Sequence, residues 1–286
     1  MVIKMKKENL DLLNTKDLTS LFLQEEERTI KSLKKQKLNI TKAVNSIIKN
    51  LSRGGRVIYI GAGTSGRLGI LDAVECKPTF STNSFLPIIA GGNNAIFKAK
   101  EGAEDDKSLA IKDLKKIKLG KHDILVGLSA SGETPYTVAA IKHAKKQKIT
   151  TISITSNPKS TLSKIANYKI SPEINHEIIS GSSRLRSGTA QKIILNMLSS
   201  ISMIKSGKVF NNLMIDVQPT NKKLIKRAIG IISNICKVPL NKAKNLFKKS
   251  KKNTKAAIVM HFKHCSLNTA NELLKKVNFN LRKIIR

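Results

Sequence analysis

Five short apolar runs alternate with amphipathic segments between residues 56 and 170 of this 286-residue chain. Short apolar runs are typical of buried β-strands, whereas the intervening segments place apolar residues at the three- and four-residue spacing of helices. This alternation predicts a parallel sheet of five strands with helices on both faces. The predicted strands cover residues 56–61, 86–90, 124–129, 150–155 and 168–170, and the predicted helices lie near 66–76, 93–116, 135–147 and 160–166.

The segments on either side of this alternation are predicted to be helical. Residues 10–51 carry apolar side chains at helical spacing, and a long helix is expected over residues 186–205. The remainder reads as several helices with lysine-rich outer faces. We therefore predict a helical N-terminal region (1–53), an α/β domain (54–215) and a C-terminal helical region (216–286).

The composition is strongly basic, with 53 Lys and Arg against 19 Asp and Glu and a formal net charge of +34. The lysines are spread along the chain and aromatic residues are only 4%, so stacking surfaces for bases are scarce. This pattern favours compositional drift over a nucleic-acid partner.

No apolar run reaches the roughly 18 residues of a membrane span. The charged start and three widely spaced cysteines predict a cytoplasmic protein without a secretory signal or disulfide framework.

A glycine-rich turn, with the spacing GxGxxG over residues 61–66, follows the first apolar run. In a dinucleotide site this turn is followed, about 20 residues on, by an acidic residue that binds the ribose hydroxyl. No Asp or Glu lies between Glu75 and Glu101. The sequence therefore disfavours a nicotinamide cofactor.

Hydroxyl side chains suggest a different ligand for this turn. Gly63, Thr64 and Ser65 lie where a helix is expected to begin, and the free N–H groups of a helix N-terminus favour an anion. Taken alone, the turn is better explained as an ordinary helix cap.

A second turn of the same kind follows the third predicted strand, in the string GLSASGETPYT. It contains Ser129, Ser131, Gly132 and Thr134, and Pro135 suits the first position of a helix. Strands of a parallel sheet end at one edge, where such sheets bind ligands. Two hydroxyl-rich turns at that edge predict a site for a compact phosphate.

The string SASGET resembles the phosphate loop of sugar isomerase (SIS) domains. Longer strings are similar to the family of N-acetylmuramic acid 6-phosphate etherases: GAGTSGRLGILDAVECKPTF, IIAGGNNAIFKAKEGAEDD, GSSRLRSGTAQKIILNMLSS and GKVFNNLMIDVQPTNKKL. They occur in the order found in that family, and the resemblance extends from about residue 12 to the C-terminal NFNLRKII.

This resemblance implies a reaction as well as an SIS-type fold. The family cleaves the ether between D-lactate and C3 of N-acetylmuramic acid 6-phosphate, giving N-acetylglucosamine 6-phosphate and D-lactate in cell-wall recycling. The open-chain aldehyde at C1 acidifies the C2 proton, lactate leaves from C3, and water adds to the unsaturated intermediate. General acids and bases suffice, so no metal or redox cofactor is expected. The family also implies a homodimer with its active site near the subunit interface.

The family's two acid/base glutamates fall at Glu75 in LDAVECKPTF and at Glu104 in EGAEDD. We expect Glu75 to protonate the departing lactate and Glu104 to act as the second acid/base group. Without the resemblance, Glu75 would be read as a solvated carboxylate near the end of a helix stopped by Pro78. Glu104 would be read as part of a solvated helix face.

Several positions depart from the family pattern. Glu133 lies in the second hydroxyl turn, where arginine is more usual, and His176 lies in a segment that usually contains glycine and proline.

The main alternative function is a non-catalytic phosphosugar-binding regulator of the glucokinase-regulatory type. The presence of both Glu75 and Glu104 argues against this alternative. An SIS-type transcription regulator would require a DNA-reading domain before residue 57, and that segment matches the etherase pattern instead.

Overall fold

The computed structural model describes residues 9–216, 219 and 221–285. Five parallel strands form one sheet: β1 (Val57–Gly61), β2 (Phe85–Ile89), β3 (Ile124–Leu128), β4 (Thr150–Ile154) and β5 (Tyr168–Ile170). Their order in the sheet is β2–β1–β3–β4–β5. The predicted parallel α/β fold is confirmed, and the predicted strands agree with the observed ones to within one residue at each end.

The register of the central strands aligns the turns that follow them. Gly61 at the end of β1 is paired with Ile89 at the end of β2 and with Leu128 at the end of β3. Every residue of β1 and β3 is buried, as expected when helices cover both faces of a parallel sheet. The turns after β1 and β3 therefore begin side by side at the carboxyl edge of the sheet.

The described residues up to 205 contain eight α-helices, which are α1 (Thr15–Lys35), α2 (Lys37–Leu51), α3 (Gly63–Phe80), α4 (Asn94–Phe97), α5 (Lys107–Lys116), α6 (Pro135–Lys146), α7 (Thr161–Ile165) and α8 (Arg186–Lys205). The described residues up to Ala73 form one compact unit with Ser84–Leu198. The segment Val74–Asn83 and the described residues from Ser199 onward form a second unit.

Two helix boundaries differ from the sequence prediction. The helix expected over 93–116 is two helices separated by a turn at 98–106, because Lys98 is extended and the side chain of Asp106 caps α5 by accepting from Leu109 N. Pro78 does not stop α3, which continues to Phe80. A proline late in a helix removes one N–H donor while its φ still fits the helix. The helix ends instead where Ser81 adopts a left-handed conformation with φ of 51°.

The second unit is mainly helical, as predicted, with α9 (Lys222–Cys236), α10 (Leu240–Lys249), α11 (Thr254–Lys263) and α12 (Leu267–Lys276). A short antiparallel hairpin of β6 (Val209–Phe210) and β7 (Leu213–Met214) precedes them and was not predicted, because two-residue strands carry no periodicity. Residues 256–259 of α11 are buried at every position, which places this helix at the centre of the unit's apolar core.

An ion-pair cluster lies inside the second unit. The buried Lys255 Nζ is 2.9 Å from Asp216 Oδ2 and donates to the carbonyl oxygen of Phe279, and Lys208 Nζ lies 2.9 Å from the same carboxylate. Burial lowers the pKa of Lys255, and Asp216 offsets part of that effect. The cluster therefore joins the hairpin segment to α11 within this unit.

Some sequence predictions fall outside the described residues. They include the charged start at residues 1–8, from which the absence of a secretory signal was predicted, and residues 217, 218 and 220 of the string GKVFNNLMIDVQPTNKKL. Within the described part of the chain, no helix is long and apolar enough to cross a membrane. The division into regions 1–53, 54–215 and 216–286 stays a prediction.

Candidate active site

The turn between β1 and α3 presents a helix N-terminus with hydroxyl side chains. Helix α3 begins at Gly63, Thr64 and Ser65 follow in its first turn, and Ser65 is buried. A Cβ at Gly66 would lie 2.6 Å from Cγ1 of Ile89, so only glycine lets the helix approach β2 this closely. The third glycine of the GxGxxG spacing is thus explained by close packing of the helix on the sheet.

The turn between β3 and α6 is organised by the hydroxyl of Ser129. Ser129 Oγ lies 2.8 Å from Thr134 Oγ1 and 3.2 Å from Ser131 Oγ, and it accepts from Gly132 N at 3.0 Å. Helix α6 begins directly afterwards at Pro135, as predicted. These contacts fix the three hydroxyl groups close together at the N-terminus of a 12-residue helix.

Gly132 is required by the conformation of this turn. Its φ is +72°, and a Cβ would lie 2.2 Å from Ser160 Oγ and 2.5 Å from Ser160 Cβ. Its carbonyl oxygen also accepts from Leu162 N at 3.0 Å. The glycine therefore allows the β3–α6 turn to pack against the β4–α7 segment.

Glu133 belongs to this packing contact rather than to the cavity described below. Its Oε1 accepts from Thr161 N at 2.7 Å, at the start of α7. The hydrogen bond from Thr161 holds the pKa of Glu133 below its usual range. The departure from the family pattern at this position thus has a structural role in the described chain.

A third polar turn, which the sequence analysis did not identify as part of the site, follows β4. Ser156 is buried and its Oγ has no hydrogen-bond partner among the described residues, and Asn157 follows it. Ser156 N donates to the carbonyl oxygen of Ala130, which connects this turn to the second one. The signal was present in the sequence as ITSNP after the fourth strand, which repeats the pattern of a strand followed by hydroxyl and turn residues.

These turns open onto a cavity of about 660 Å³. It contains five of the predicted site residues, namely Ser65, Glu104, Ser129, Ser131 and Thr134. Gly63 lines a neighbouring cavity of about 350 Å³, whereas Thr64 and Gly132 line neither of the two. The further lining side chains come from the turn after β4, from the segment between β5 and α8, and from the first turn of α8: Ser156, Asn157, Ile174, Asn175, His176, Glu177, Ile178, Ser180, Ser183 and Ser187.

The N-terminus of α8 reaches the cavity through Ser187, and Glu177 caps this helix. The carboxylate of Glu177 accepts from Arg186 N at 2.8 Å and from Ser187 N at 3.0 Å. With α3 and α6, three long helices therefore direct their N-termini toward one space. Their dipoles and N–H groups favour an anionic ligand.

Glu104 lines both cavities from the turn that precedes α5. Tyr136 N donates to its carbonyl oxygen at 2.9 Å, which attaches this turn to the start of α6. The side chain is exposed, and its carboxylate has no hydrogen-bond partner in the part of the chain that the structure describes. The default interpretation as a solvated helix face is wrong, because residues 101–105 form a turn at the cavity. A carboxylate in this place can take up or deliver a proton.

Glu75 is an exposed residue of α3, and it lines neither cavity. It lies on the segment Val74–Asn83, which belongs to the second compact unit, whereas Glu104 belongs to the first. Leu71 and Val74, on the same helix, are 53% and 58% exposed. Two apolar residues close to Glu75 on α3 are thus more than half exposed.

Three protein-family models match the chain. They are described as the glucokinase regulatory protein N-terminal SIS domain (residues 39–145), the SIS domain (107–201) and the C-terminal lid domain of glucokinase regulatory protein (211–256). Among solved structures, the chain is similar in fold to a phosphoheptose isomerase from Francisella tularensis, with a TM-score of 0.52 and 15% identity, over 67% of this chain and 100% of that one.

Curated relatives match almost the whole length. The chain is 45% identical over 272 residues to an N-acetylmuramic acid 6-phosphate etherase of Francisella tularensis strain SCHU S4, covering 94% of this chain and 92% of that protein. It is also 45% identical to one of Clostridium botulinum strain Langeland, covering 94% and 89%. This chain therefore belongs to the family of N-acetylmuramic acid 6-phosphate etherases.

Proposed function

We propose that this chain cleaves the D-lactyl ether of N-acetylmuramic acid 6-phosphate to give N-acetylglucosamine 6-phosphate and D-lactate, as a lyase of amino-sugar catabolism. The observation that carries the proposal is the 45% identity, over 94% of the chain, to proteins with the name of this activity. The cavity supports it, since helix N-termini and hydroxyl groups suit a sugar phosphate.

The 6-phosphate is the proposed anchor of the substrate. Ser65, Ser129, Ser131 and Thr134 offer hydroxyl groups at the N-termini of α3 and α6. Phosphate oxygens accept hydrogen bonds from such groups at low cost, because the donors are already oriented by the turns. Ser156 adds a buried hydroxyl with no partner of its own among the described residues.

Glu104 is the proposed base for the C2 proton. The other lining carboxylate, Glu177, is occupied by two N–H groups of α8, whereas that of Glu104 is exposed at the cavity. In the proposed reaction, removal of the C2 proton leads to loss of lactate from C3. Water then adds at C3 and a proton returns to C2.

Glu75 is the proposed proton donor to the departing lactate, on the basis of the family motif.

We further propose that the protein is a cytoplasmic homodimer with its active site near the subunit interface. The exposed Leu71 and Val74 beside Glu75 support an interface on this face of α3, because apolar side chains grouped on a surface favour association. Light scattering at the assay concentration tests the dimer, and a fully active monomer would contradict it.

The decisive experiment is to incubate the purified protein with N-acetylmuramic acid 6-phosphate and to assay D-lactate. Release of D-lactate is expected without NAD or added metal and in the presence of EDTA. Bound phosphosugar without any lactate would instead indicate a regulator of the glucokinase-regulatory type. That alternative is not favoured, because the relatives that match nearly the full length have the etherase name.

A further inference from the structure

The larger cavity is poor in positive charge although the chain is very basic. The chain contains 53 Lys and Arg residues, yet none of them is among the described residues that line this cavity. The ionisable side chains on its lining are Glu104, Glu177 and His176. His176 is therefore the one lining side chain, among those described, that can present a positive charge to a ligand.

The backbone and the side chain of His176 both contact the ion pair between Glu25 and Arg186. Its carbonyl oxygen accepts from Arg186 Nη1 at 2.9 Å, and its Nε2 lies 3.8 Å from Oε2 of Glu25. Glu25 on α1 is fully buried, and its carboxylate is 2.7 Å from Arg186 Nη1. The His176 side chain is 52% exposed and lines the cavity, with its Nε2 near the buried pair of Glu25 and Arg186.

The charged groups around this imidazole have opposing effects. Glu25 from α1 attracts an imidazolium, whereas Arg186 from α8 and Arg28 from α1, which both pair with Glu25, repel it. Because two arginines share the single charge of Glu25, the remaining negative charge comes from Glu104 and Glu177, which line the same cavity. These two carboxylates suit an imidazolium.

The inference rests on the proposed function, whose substrate carries two anionic groups. Hydroxyl groups and helix N-termini suit the phosphate, and a cationic donor would bind the carboxylate of the lactyl group more strongly than a neutral one. We propose that His176, as an imidazolium, binds this lactyl carboxylate and so selects sugar phosphates that carry a second anion. His176 then acts in substrate recognition rather than in proton transfer at C2 or C3.

The test compares two ligands in one variant. His176→Gln is expected to raise KM for N-acetylmuramic acid 6-phosphate by roughly 10- to 100-fold, the effect of losing a charged hydrogen bond. The inhibition constant of N-acetylglucosamine 6-phosphate, which has the phosphate but no lactyl group, should stay at the wild-type value. His143→Gln on α6, where the side chain contacts Gln147, is the matched control.

The pH dependence gives an independent readout. A histidine loses its positive charge as pH rises through about 6.5, so the ratio of the KM of His176→Gln to that of the wild type should fall between pH 5.5 and 8.5. His176→Lys, which stays charged over this range, should bind the substrate more tightly than His176→Gln at pH 8.5. Phosphate ionisation affects all three proteins alike and cancels in these ratios.

Two results would overturn the proposal. An unchanged KM in His176→Gln would mean that the imidazole does not contact the substrate, and equal weakening of both ligands would assign it to the phosphate. If the wild type released no D-lactate, the proposed function would fail separately. Calorimetric dissociation constants of the two ligands would then still decide the role of His176.

Discussion

The main-chain N–H of Tyr136 donates to the carbonyl oxygen of Glu104 over 2.9 Å, and this hydrogen bond joins the proposed catalytic turn to the phosphate turn. Tyr136 lies in the first turn of α6, directly after the hydroxyls of Ser129, Ser131 and Thr134. The tyrosine is itself fixed, because its hydroxyl donates to Asp113 Oδ2 at 2.9 Å. The turn that carries the Glu104 carboxylate and the proposed phosphate turn are therefore connected by one short path through the backbone.

Replacement of the Glu104 carboxylate by an amide should remove the proposed base. Glu104→Gln is expected to lower lactate release by about 10²- to 10⁴-fold, and to abolish exchange of the C2 hydrogen with solvent deuterium. The control is Asp105→Asn, an exposed neighbour in the same turn that lines neither cavity. Equal losses in both variants would show that lactate release depends on the conformation of the turn rather than on the Glu104 carboxylate.

Glu75→Gln should separate the two half-reactions. A glutamine cannot protonate the departing lactate, so lactate release should be lost while deuterium exchange at C2 survives, because exchange needs only the base. Both are measured on one sample by an enzymatic lactate assay and by NMR. Glu27→Gln, an exposed glutamate of α1, controls for the loss of one charge. Loss of exchange in Glu75→Gln with retention in Glu104→Gln would reverse the two roles.

The phosphate turns should determine affinity for the sugar phosphate. Ser65→Ala and Ser131→Ala are each expected to weaken substrate binding by about 1.5–3 kcal/mol, the usual contribution of a hydrogen bond to a charged group. Unphosphorylated N-acetylmuramic acid should be a poor substrate of the wild type. Ser20→Ala on the exposed side of α1 should have no effect. Equal turnover of the unphosphorylated sugar would disprove the phosphate anchor.

Gly132→Ala tests the packing of the β3–α6 turn. Gly132 and Gly54 both have positive φ, at +72° and +79°. A Cβ added at Gly132 would overlap Ser160, whereas a Cβ added at Gly54 would have no atom within 4 Å. Gly54→Ala should cost about 1 kcal/mol for the backbone conformation, and Gly132→Ala a further 1–3 kcal/mol for the overlap. Urea denaturation measures both, and equal costs would contradict the predicted overlap.

Asp123 should make stability depend on acid pH. This carboxylate is 4% exposed, lies 2.6 Å from Arg56 Nη2, and accepts from Arg56 N and Gly120 N. Burial opposes ionisation, but the hydrogen bonds from Arg56 and Gly120 together outweigh it and hold the pKa of Asp123 below its usual range.

Because the folded-state pKa is lowered, the stabilisation is present above the unfolded-state value of about 3.9 and is lost as pH falls through the folded-state value. Asp123→Asn should therefore cost roughly 3 kcal/mol at pH 7, and less as the wild type is acidified below about pH 4. Urea denaturation across this range is the measurement, with the exposed Asp105→Asn as control. A pH-independent difference would exclude ionisation of Asp123 as the cause.

The sequence by itself determined the local structure and the family. Apolar runs marked all five strands of the sheet, Pro135 marked the start of α6, and hydroxyl residues marked the turns after β1 and β3, whose phosphate binding stays a prediction. Strand and helix periodicity, turn residues and helix starts depend on neighbours in the chain, so they can be read from short segments. The motif strings selected Glu104 from its acidic neighbours, which spacing alone could not do.

Only the tertiary structure decided which turns share a cavity. The order β2–β1–β3–β4–β5 brings the turn after β4 beside the turn after β3, so that Ser156 joins the site. The same packing assigns Glu133 to the start of α7, and it places His176 within 3.8 Å of Glu25, about 150 residues earlier in the chain. Such contacts depend on strand order, register and side-chain packing between distant segments, which leave no periodic signal in the sequence.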